Sequence, residues 1–589
     1  MAGVWRVTGG SIAGAVLAGI IAPFLRPLFS VPDGGIGFVT VTQYPKGWDY
    51  AVVALITILG AVGGALAFGA GRPRPPVTPE KHDSLPISGV RQWTLAVIVF
   101  VGMLFLHDHP YAVMENFHEG EHLVPGFLLK SGDRPYREVF FLHGLATDGG
   151  LDALVLGDPP SPRRTRRLET ILDAATLALL VPIAAALCTT FAGVAVATVA
   201  SLCAMAALWI PVFPYFRLAP LLLAVLGLLR YVKRGSAGPL ALAFVASTLG
   251  ILWSLEVGTY TLAATAISFV AIRLLRVEEQ PLSLRAIVLL ALGASAAPFV
   301  LLAAIGADIR QFLVDSFVVI PSAIDAIWSL PSPKTIDLAS LRYYLPPAFY
   351  GFLLALAVNR YRRGEKLAAA QLLVIGVASI LVFRTAAGRV SWSHTRFALP
   401  LFGIAAVAFV IEPLARARRW VATAVAAIAL AFVTQLGPNV VAGTKLLAGW
   451  RARQKHELLV RYPVRAGKGI YATPDQANDL AAINGFLDSL GPDATFLDFS
   501  GERALYYLLQ RRPPVRCPDI HMLSSPPLLA EAMAQLNAKP PAFVVLEGLP
   551  VLGAFDGIPN RTRVPDLAEW IDANYPNRTR MGRYVIATR

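Results

Sequence analysis

Nine histidines occur in this 589-residue chain, and five of them, His107, His109, His118, His122 and His143, fall within one short stretch. The stretch reads His107-Asp108-His109-Pro110-Tyr111, then Glu115-Asn116-Phe117-His118-Glu119-Gly120-Glu121-His122. It continues with Gly132-Asp133-Arg134-Pro135-Tyr136-Arg137-Glu138 and with Phe141-Leu142-His143-Gly144, and reaches Asp148. Carboxylates and imidazoles at this density suit two kinds of chemistry. One is taking a proton from an attacking hydroxyl or amine; the other is holding a divalent cation. His118 to His122 also matches H-E-x-x-H, the spacing that sets two histidines on one helical face around zinc. The glycine inside the motif and its loop setting argue against a zincin. The plainer alternative is a solvated outer loop that does no chemistry.

Further candidates flank other apolar runs. Arg163, Arg164, Arg166 and Arg167 precede one, and Arg384, Arg389, His394 and Arg396 gather beside Trp392. Guanidinium groups at headgroup depth can hold a lipid phosphate or simply snorkel to the interface. Trp253-Ser254-Leu255-Glu256-Val257-Gly258-Thr259-Tyr260 sets a carboxylate at the start of another run, where a simple helix-end charge is the alternative.

The elements that must position these residues are membrane helices. Hydrophobic residues make up 55% of the chain and charged residues 15%, well below the ~25% of a soluble domain. A soluble enzyme, a disordered chain and a collagen-like repeat are excluded. Spanning helices need about 20 mostly apolar residues. Such runs are Val7–Leu25, Tyr50–Gly71 and Gln92–His107, followed by two helices within the charge-free stretch Ala174–Phe216 that turn near Cys188–Gly193. Then come Leu218–Leu229, Gly235–Leu255, Val257–Ile272, Ala286–Ala307, Tyr343–Asn359, Leu367–Phe383, Phe397–Ile411 and Trp420–Thr444. The count is about 13. Val7–Leu25 lacks a small-residue cleavage site after it and is expected to remain as the first helix. Residues 308–342 carry apolar side chains at helical spacing, Phe312, Phe317, Ile320, Ile324, Ile327 and Trp328, and read as an interfacial helix ending at Pro331-Ser332-Pro333.

Short loops on one side collect cations: Arg72, Arg74, Lys81 and Arg91; Arg230, Lys233 and Arg234; Arg273, Arg276 and Arg285; Arg360, Arg362, Arg363 and Lys366; Arg416, Arg418 and Arg419. Cytoplasmic loops are the basic ones. This puts 109–168, 308–342, 384–396 and the tail outside the cytoplasm. The net charge of +14 suits anionic lipid headgroups, and its dispersal over many short loops argues against nucleic acid. Three cysteines make no disulfide framework. The tail, 445–589, is rich in charge and alternates helix and strand patterns: helices over Ala477–Leu490, Glu502–Gln510, Leu528–Asn537 and Val564–Ala573, with strands near 494–498, 542–547 and 583–588. It reads as a small α/β domain. It has no P-loop and no G-x-G-x-x-G phrase, which argues against nucleotide binding. The expected organisation is an N-terminal hairpin over 1–91, a transmembrane domain over 92–444 and the tail domain.

Three phrases together resemble the first external loop of the GT-C superfamily, the polyprenyl-phosphate-sugar-dependent membrane glycosyltransferases that include protein O-mannosyltransferases and lipid A aminoarabinose transferases. They are His118-Glu119-Gly120-Glu121-His122, Gly132-Asp133-Arg134-Pro135-Tyr136-Arg137-Glu138 and Phe140-Phe141-Leu142-His143-Gly144. The specific words occupy the first external loop alone. His118-Glu119 stands where the family has an acidic pair, and two helices precede the usual first one. The resemblance implies a GT-C-like polytopic protein of a bacterial cytoplasmic membrane with an extracytoplasmic tail. It implies a polyprenyl-phosphate-linked sugar as donor, a glycan, lipid or protein as acceptor, membrane lipids as surroundings, and inversion through a carboxylate base. Glu119 is the expected base, with Glu121 and Asp108 as alternates. Arg163, Arg166, Arg389 and Arg396 are the expected phosphate ligands. His118, Tyr136, Arg137, His143, Glu256 and His394 are the expected substrate contacts. A divalent cation is an optional cofactor, with His118 or His122 as ligands. The rival reading from another class is a transporter, lipid flippase or non-catalytic assembly factor. It calls for mid-membrane polar residues and an internal repeat, and neither is evident in the sequence.

Overall fold

A computed structural model describes residues 34–69, 89–107, 113–208, 214–277, 282–335, 337–448, 460–464, 466, 470–548 and 555–589. The expected first span Val7–Leu25, the basic loop around Arg72 and Arg74, and Asp108 and His109 lie outside them.

Among the described residues, nine helices are long and apolar enough to cross a membrane: Lys46–Ala67, Gly89–His107, Pro162–Leu187, Tyr215–Arg234, Leu255–Leu275, Leu284–Ala304, Ile309–Trp328, Ser340–Arg362 and Lys366–Gly388. Phe191–Ala204, Ala237–Trp253 and Trp420–Thr434 are apolar but shorter. The expected turn near Cys188 is there, between Leu187 and Phe191. Two boundaries differ from the sequence reading for a physical reason. Pro162–Leu187 starts well before Ala174, because its first turns carry charged residues that lie above the apolar part and find partners there. The stretch read as one span over Phe397–Ile411 is a short helix Trp392–Phe397, a break, and a helix running from Phe402 through Glu412–Arg416. At its end the buried Glu412 carboxylate accepts the backbone N–H groups of Thr189 (2.9 Å) and Thr190 (3.1 Å), capping Phe191–Ala204. A negative charge at a helix N-terminus satisfies orphan donors and opposes the dipole.

Helix packing relies on small residues. Lys46–Gly69 lies along Leu338–Arg362 so closely that a Cβ on Gly351 would come within 1.8 Å of the Thr57 carbonyl oxygen. Such contact between backbones is how apolar helices gain attraction where lipid supplies no hydrophobic drive. The Lys46 ammonium and Asp49 pair at 2.9 Å and tie this helix to the Pro331–Pro333 turn: Lys46 donates to the Leu330 carbonyl (2.6 Å) and Asp49 accepts from Ser332 N (2.8 Å).

The tail is an α/β unit. A two-residue ladder pairs β1 (Val460–Arg461) with β2 (Tyr471–Ala472). The main sheet has β3 (Phe496–Asp498), β4 (Phe543–Glu547), β5 (Asn577–Met581) and β6 (Tyr584–Thr588) in the order β3-β4-β6-β5. β3 runs parallel to β4, and the other pairs are antiparallel. Phe496, Phe543 and Ile586 face Leu480, Ile483 and Leu487 of the helix Pro474–Ser489, which opens on a Thr473/Gln476 capping box. Leu497, Val544 and Ala587 face Leu528 and Leu536 of Pro526–Ala538 and Leu567 and Ile571 of Pro565–Asn574. β5 has no counterpart in the sequence reading. Its side chains are polar and exposed along nearly its whole length, so no alternation marks it.

Both faces of the sheet share their cores with the membrane part. Leu123, Val124 and Tyr136 join the first cluster, and Phe140, Leu142, Ile320 and Ile327 join the second. A boundary at residue 445 divides the chain in composition but not in packing. The cause is that the segment 113–160 and the helix Ile309–Trp328 present apolar faces that the tail covers.

Candidate active site

The chain reverses at each helix end, so Gly89–His107 and Lys366–Gly388 finish at the same rim of the bundle where Pro162–Leu187, Tyr215–Arg234 and Leu255–Leu275 begin. At that rim a cavity of about 630 Å³ is lined by the ends of these five helices, by Ser316–Ser329 and by the segment from Val113 to Asp148. The described chain segment between His107 and Pro162 forms its wall.

The helix His118–Lys130 sets the densest part of that wall. Glu115 opens it by accepting the backbone N–H of His118 (2.5 Å), and Glu119 reaches back to accept the N–H of Glu115 (2.9 Å). This reciprocal arrangement holds a helix start that no Ser or Thr caps. Gly120 permits the tail to approach, since a Cβ there would lie 2.5 Å from Ala504 N. The glycine that argued against a regular helix is thus a packing requirement.

Helical rotation then sorts the side chains. Both oxygens of Glu119 accept from Arg166, at 2.8 Å from Nε and 2.7 Å from Nη2. Arg166 was expected at phosphate and Glu119 as base, and instead they occupy each other. Glu121, two residues on and so about 200° further round the helix, meets the tail: Arg503 donates to its Oε1 at 2.9 Å, pairs with Asp519 at 3.2 Å and stacks over Phe117. The second oxygen of Glu121 has no hydrogen bond among the described residues. His118 pairs with Glu115 at 2.8 Å and is largely exposed, while His122 turns inward to Asp152 and lies 3.4 Å from Glu169. The two histidines therefore do not converge on one ion, which removes the H-E-x-x-H zinc arrangement. The set within reach of a single ion is His122, Asp152 and Glu169, whose ligand atoms lie within 4.8 Å of one another. Burial disfavours the His122 imidazolium, but the carboxylates of Glu169 and Asp152 outweigh it and push the group up to about 10.

His143 hydrogen-bonds Asp148 through both its backbone N–H (2.6 Å) and Nδ1 (3.1 Å). Burial opposes its protonation, and Asp148 and Glu121 more than offset that, raising its pKa. Across the cavity, Arg217 is buried. Its Nε donates to Ser254 (3.2 Å), its Nη2 sits 3.6 Å from Glu256, and this Nη2 makes no hydrogen bond. Glu256 also accepts from Tyr260 at 3.3 Å. Arg384 clamps Asp325 at 2.8 and 2.6 Å, and Arg389 clamps Asp556 of the tail at 2.8 and 2.7 Å. His394 is held well below the usual imidazole value by burial and then by the charges of Arg389, Arg217, His143 and His118.

Of the residues singled out from sequence, Glu119, Glu121, Arg166, Arg389, His118, His143, Glu256 and His394 line this cavity. Four others stand apart from it. Arg163 does not reach the lining. Arg396 is buried elsewhere, donating to the carbonyls of Ala204 (3.3 Å) and Val433 (3.0 Å). Tyr136 is enclosed between Phe141 and Phe312, and Arg137 is exposed. Asp108 is outside the described residues. Sequence reasoning named Asp148 without giving it a role, and passed over Arg217, Asp325, Glu169 and the tail's Arg503 and Asp556. Arg217 had a legible signal, being the lone charge between two apolar runs. The tail residues had none, because their role depends on docking.

No protein-family model and no curated protein matches the chain. Among solved structures it is similar to ArnT from Cupriavidus metallidurans. The crystal structure bound to undecaprenyl phosphate aligns at 13% identity and a TM-score of 0.43, covering 85% of this chain and 97% of that one. The apo structure aligns at 14% identity and a TM-score of 0.44, covering 85% and 98%.

Proposed function

We propose that the protein is a membrane glycosyltransferase, moving a sugar from a polyprenyl-phosphate carrier to an acceptor on the outer face of the cytoplasmic membrane. The observation that carries this reading is one cavity at a helix rim where Glu121, with a carboxylate oxygen that makes no hydrogen bond among the described residues, shares the lining with buried Arg217, whose Nη2 makes none. The sequence phrases of the first external loop support the same class. The opposite rim carries Arg230, Lys233, Arg234, Arg276, Arg360, Arg363, Arg416 and Arg418; cations concentrate on the cytoplasmic side, so the cavity belongs outside. Charged groups at a rim rather than at mid-membrane favour a transferase over a transporter.

Glu121 is the base in this proposal. Glu119 is spent on Arg166 and positions the helix, whereas Glu121 keeps an oxygen free. The acceptor O–H or N–H gives its proton to Glu121 as its heteroatom attacks the anomeric carbon. The bond from that carbon to the phosphate oxygen breaks on the far side, giving inversion, and the electron pair leaves with the polyprenyl phosphate. Arg217, with its unsatisfied Nη2, stands where it can bind that phosphate, and Arg389, held on Asp556, adds positive charge to the same wall. The tail holds Glu121 in place through Arg503.

The test is complementation. Cells lacking the gene accumulate the lipid-linked sugar and lose one surface glycan or glycolipid modification. The wild-type gene restores it, and Glu121→Gln, expressed to equal level, does not. Loss of a general base costs about 10²- to 10⁴-fold. Unchanged glycans and lipid intermediates in the deletion strain refute the function, and full restoration by Glu121→Gln refutes the base.

A further inference from the structure

Behind the Glu119–Arg166 pair, the wall of the cavity carries more negative charge than its cations balance. His122 on the helix His118–Lys130, Asp152 on the following short helix and Glu169 on the span Pro162–Leu187 converge, and Asp173 is buried one turn further along the same span. Arg166 is already committed to both oxygens of Glu119. One imidazole is left to answer Asp152 and Glu169. Glu169 makes no hydrogen bond among the described residues, and its ion pair with His122 is 3.4 Å long. Asp152 is withdrawn from water and Glu169 half so, and carboxylates so placed without full compensation are costly.

We propose that His122, Asp152 and Glu169 form a site for a divalent transition-metal ion, Zn²⁺ or Mn²⁺, with its open coordination position on the cavity. The donor set is one nitrogen and two carboxylate oxygens, which suits these ions better than Mg²⁺ or Ca²⁺, whose ligands are all oxygen. Ligands held about 2.0–2.2 Å from one ion lie roughly 3.3 Å apart in tetrahedral geometry, close to the His122–Glu169 spacing of 3.4 Å. His122 and Asp152 are in hydrogen-bonded contact and part slightly as an ion enters between them. His122 and Glu169 line the cavity, and Asp152 stands behind them. An ion held this way is closed on the protein side and open toward the cavity, the pattern of a working rather than a structural centre. Its free position accepts an oxygen from whatever occupies the cavity, a phosphate or an acceptor hydroxyl.

The experiment uses the full-length protein purified in detergent and stripped with a chelator, then titrated with ZnCl₂ or MnCl₂ with no glycosyl donor present. Metal binding is thus read independently of the transferase reading. The expected result is about one ion per chain, with affinity reduced at least tenfold by Glu169→Gln and by Asp152→Asn. Mn²⁺-loaded wild-type protein should show nitrogen modulation from one imidazole in pulsed EPR, absent in His122→Gln. This measurement on the wild type decides the matter even if a variant fails to fold. Wild-type protein that binds no ion, or binds Mn²⁺ without a nitrogen signal, overturns the site. So does binding that survives Glu169→Gln in folded protein.

Discussion

Replacing Arg217 by methionine keeps most of the side-chain volume and removes its charge. In the structure its Nη2 is buried and makes no hydrogen bond, so an incoming phosphate oxygen competes only with the 3.6 Å ion pair to Glu256. A hydrogen bond to a charged group contributes about 1.5–3 kcal/mol, which corresponds to roughly a tenfold to 150-fold change in affinity. The bare Coulomb attraction near 4 Å, about 4 kcal/mol at an effective dielectric constant of 20, is an upper bound on the same contact. The cost to folding is small, because the pair with Glu256 is 3.6 Å long and Glu256 is partly exposed; such pairs contribute at most about 1 kcal/mol. The assay is binding of undecaprenyl phosphate to the purified protein in lipid nanodiscs, for wild type, Arg217→Met and Arg163→Met. Arg217→Met should weaken binding at least tenfold with little change in melting temperature, and Arg163→Met should leave affinity unaltered, since Arg163 does not reach the cavity. Equal affinity in wild type and Arg217→Met would refute the reasoning, as would an equal loss in both variants.

Arg503→Ala strips the cation from half-buried Glu121 and buried Asp519 at once and should cost about 3–5 kcal/mol, most of it at Asp519; a denaturation midpoint matching wild type contradicts that docking. The raised His143 pKa means that its pairing with Asp148 stabilises the fold fully below its unfolded value near 6.5 and loses that contribution as pH rises through the folded value. The gap in melting temperature between wild type and His143→Gln should therefore be widest at acidic pH and shrink toward pH 9, and a gap that grows with pH has the wrong sign. Gly351→Leu drives a side chain into the Thr57 carbonyl and should destabilise the protein by at least about 1–3 kcal/mol, read as a lower melting temperature in detergent. Alkaline phosphatase fused after Arg589 should be active in bacteria, and fused after Arg363 inactive; the reverse pattern inverts the orientation.

Much of the scaffold was legible from composition alone. A charge-free run of membrane length has one low-energy solution, because lipid offers no partner to an unpaired peptide group. That reasoning located nearly all the helices, and it fell short where the helix outlasts the apolar run. The first turns of Pro162–Leu187 carry Arg163 to Asp173, and no hydropathy rule joins them to the span. Ile309–Trp328 was read as an interfacial helix from its apolar spacing; it is also long and apolar enough to cross a membrane. In the tail, strands with buried faces stood out by their apolar runs, and β5, polar and at the sheet edge, did not.

The residue types of the site were equally legible, and their pairings were not. Clustering of histidine and carboxylate between His107 and Asp148 is a property of the chain, and a loop of that composition beside apolar helices marks the place where chemistry is affordable. Which carboxylate stays free is a property of the folded molecule. Glu119 and Glu121 are two residues apart in sequence, yet helical rotation turns one to Arg166 and the other to Arg503. Arg503 comes from the far end of the chain, so no local pattern can announce it. Amino-acid sequence determined which segments enter the membrane, because transfer of a helix into lipid depends on its own side chains. Tertiary structure decided partners and exposure, because ion pairing and desolvation depend on distances between segments that the sequence order does not encode.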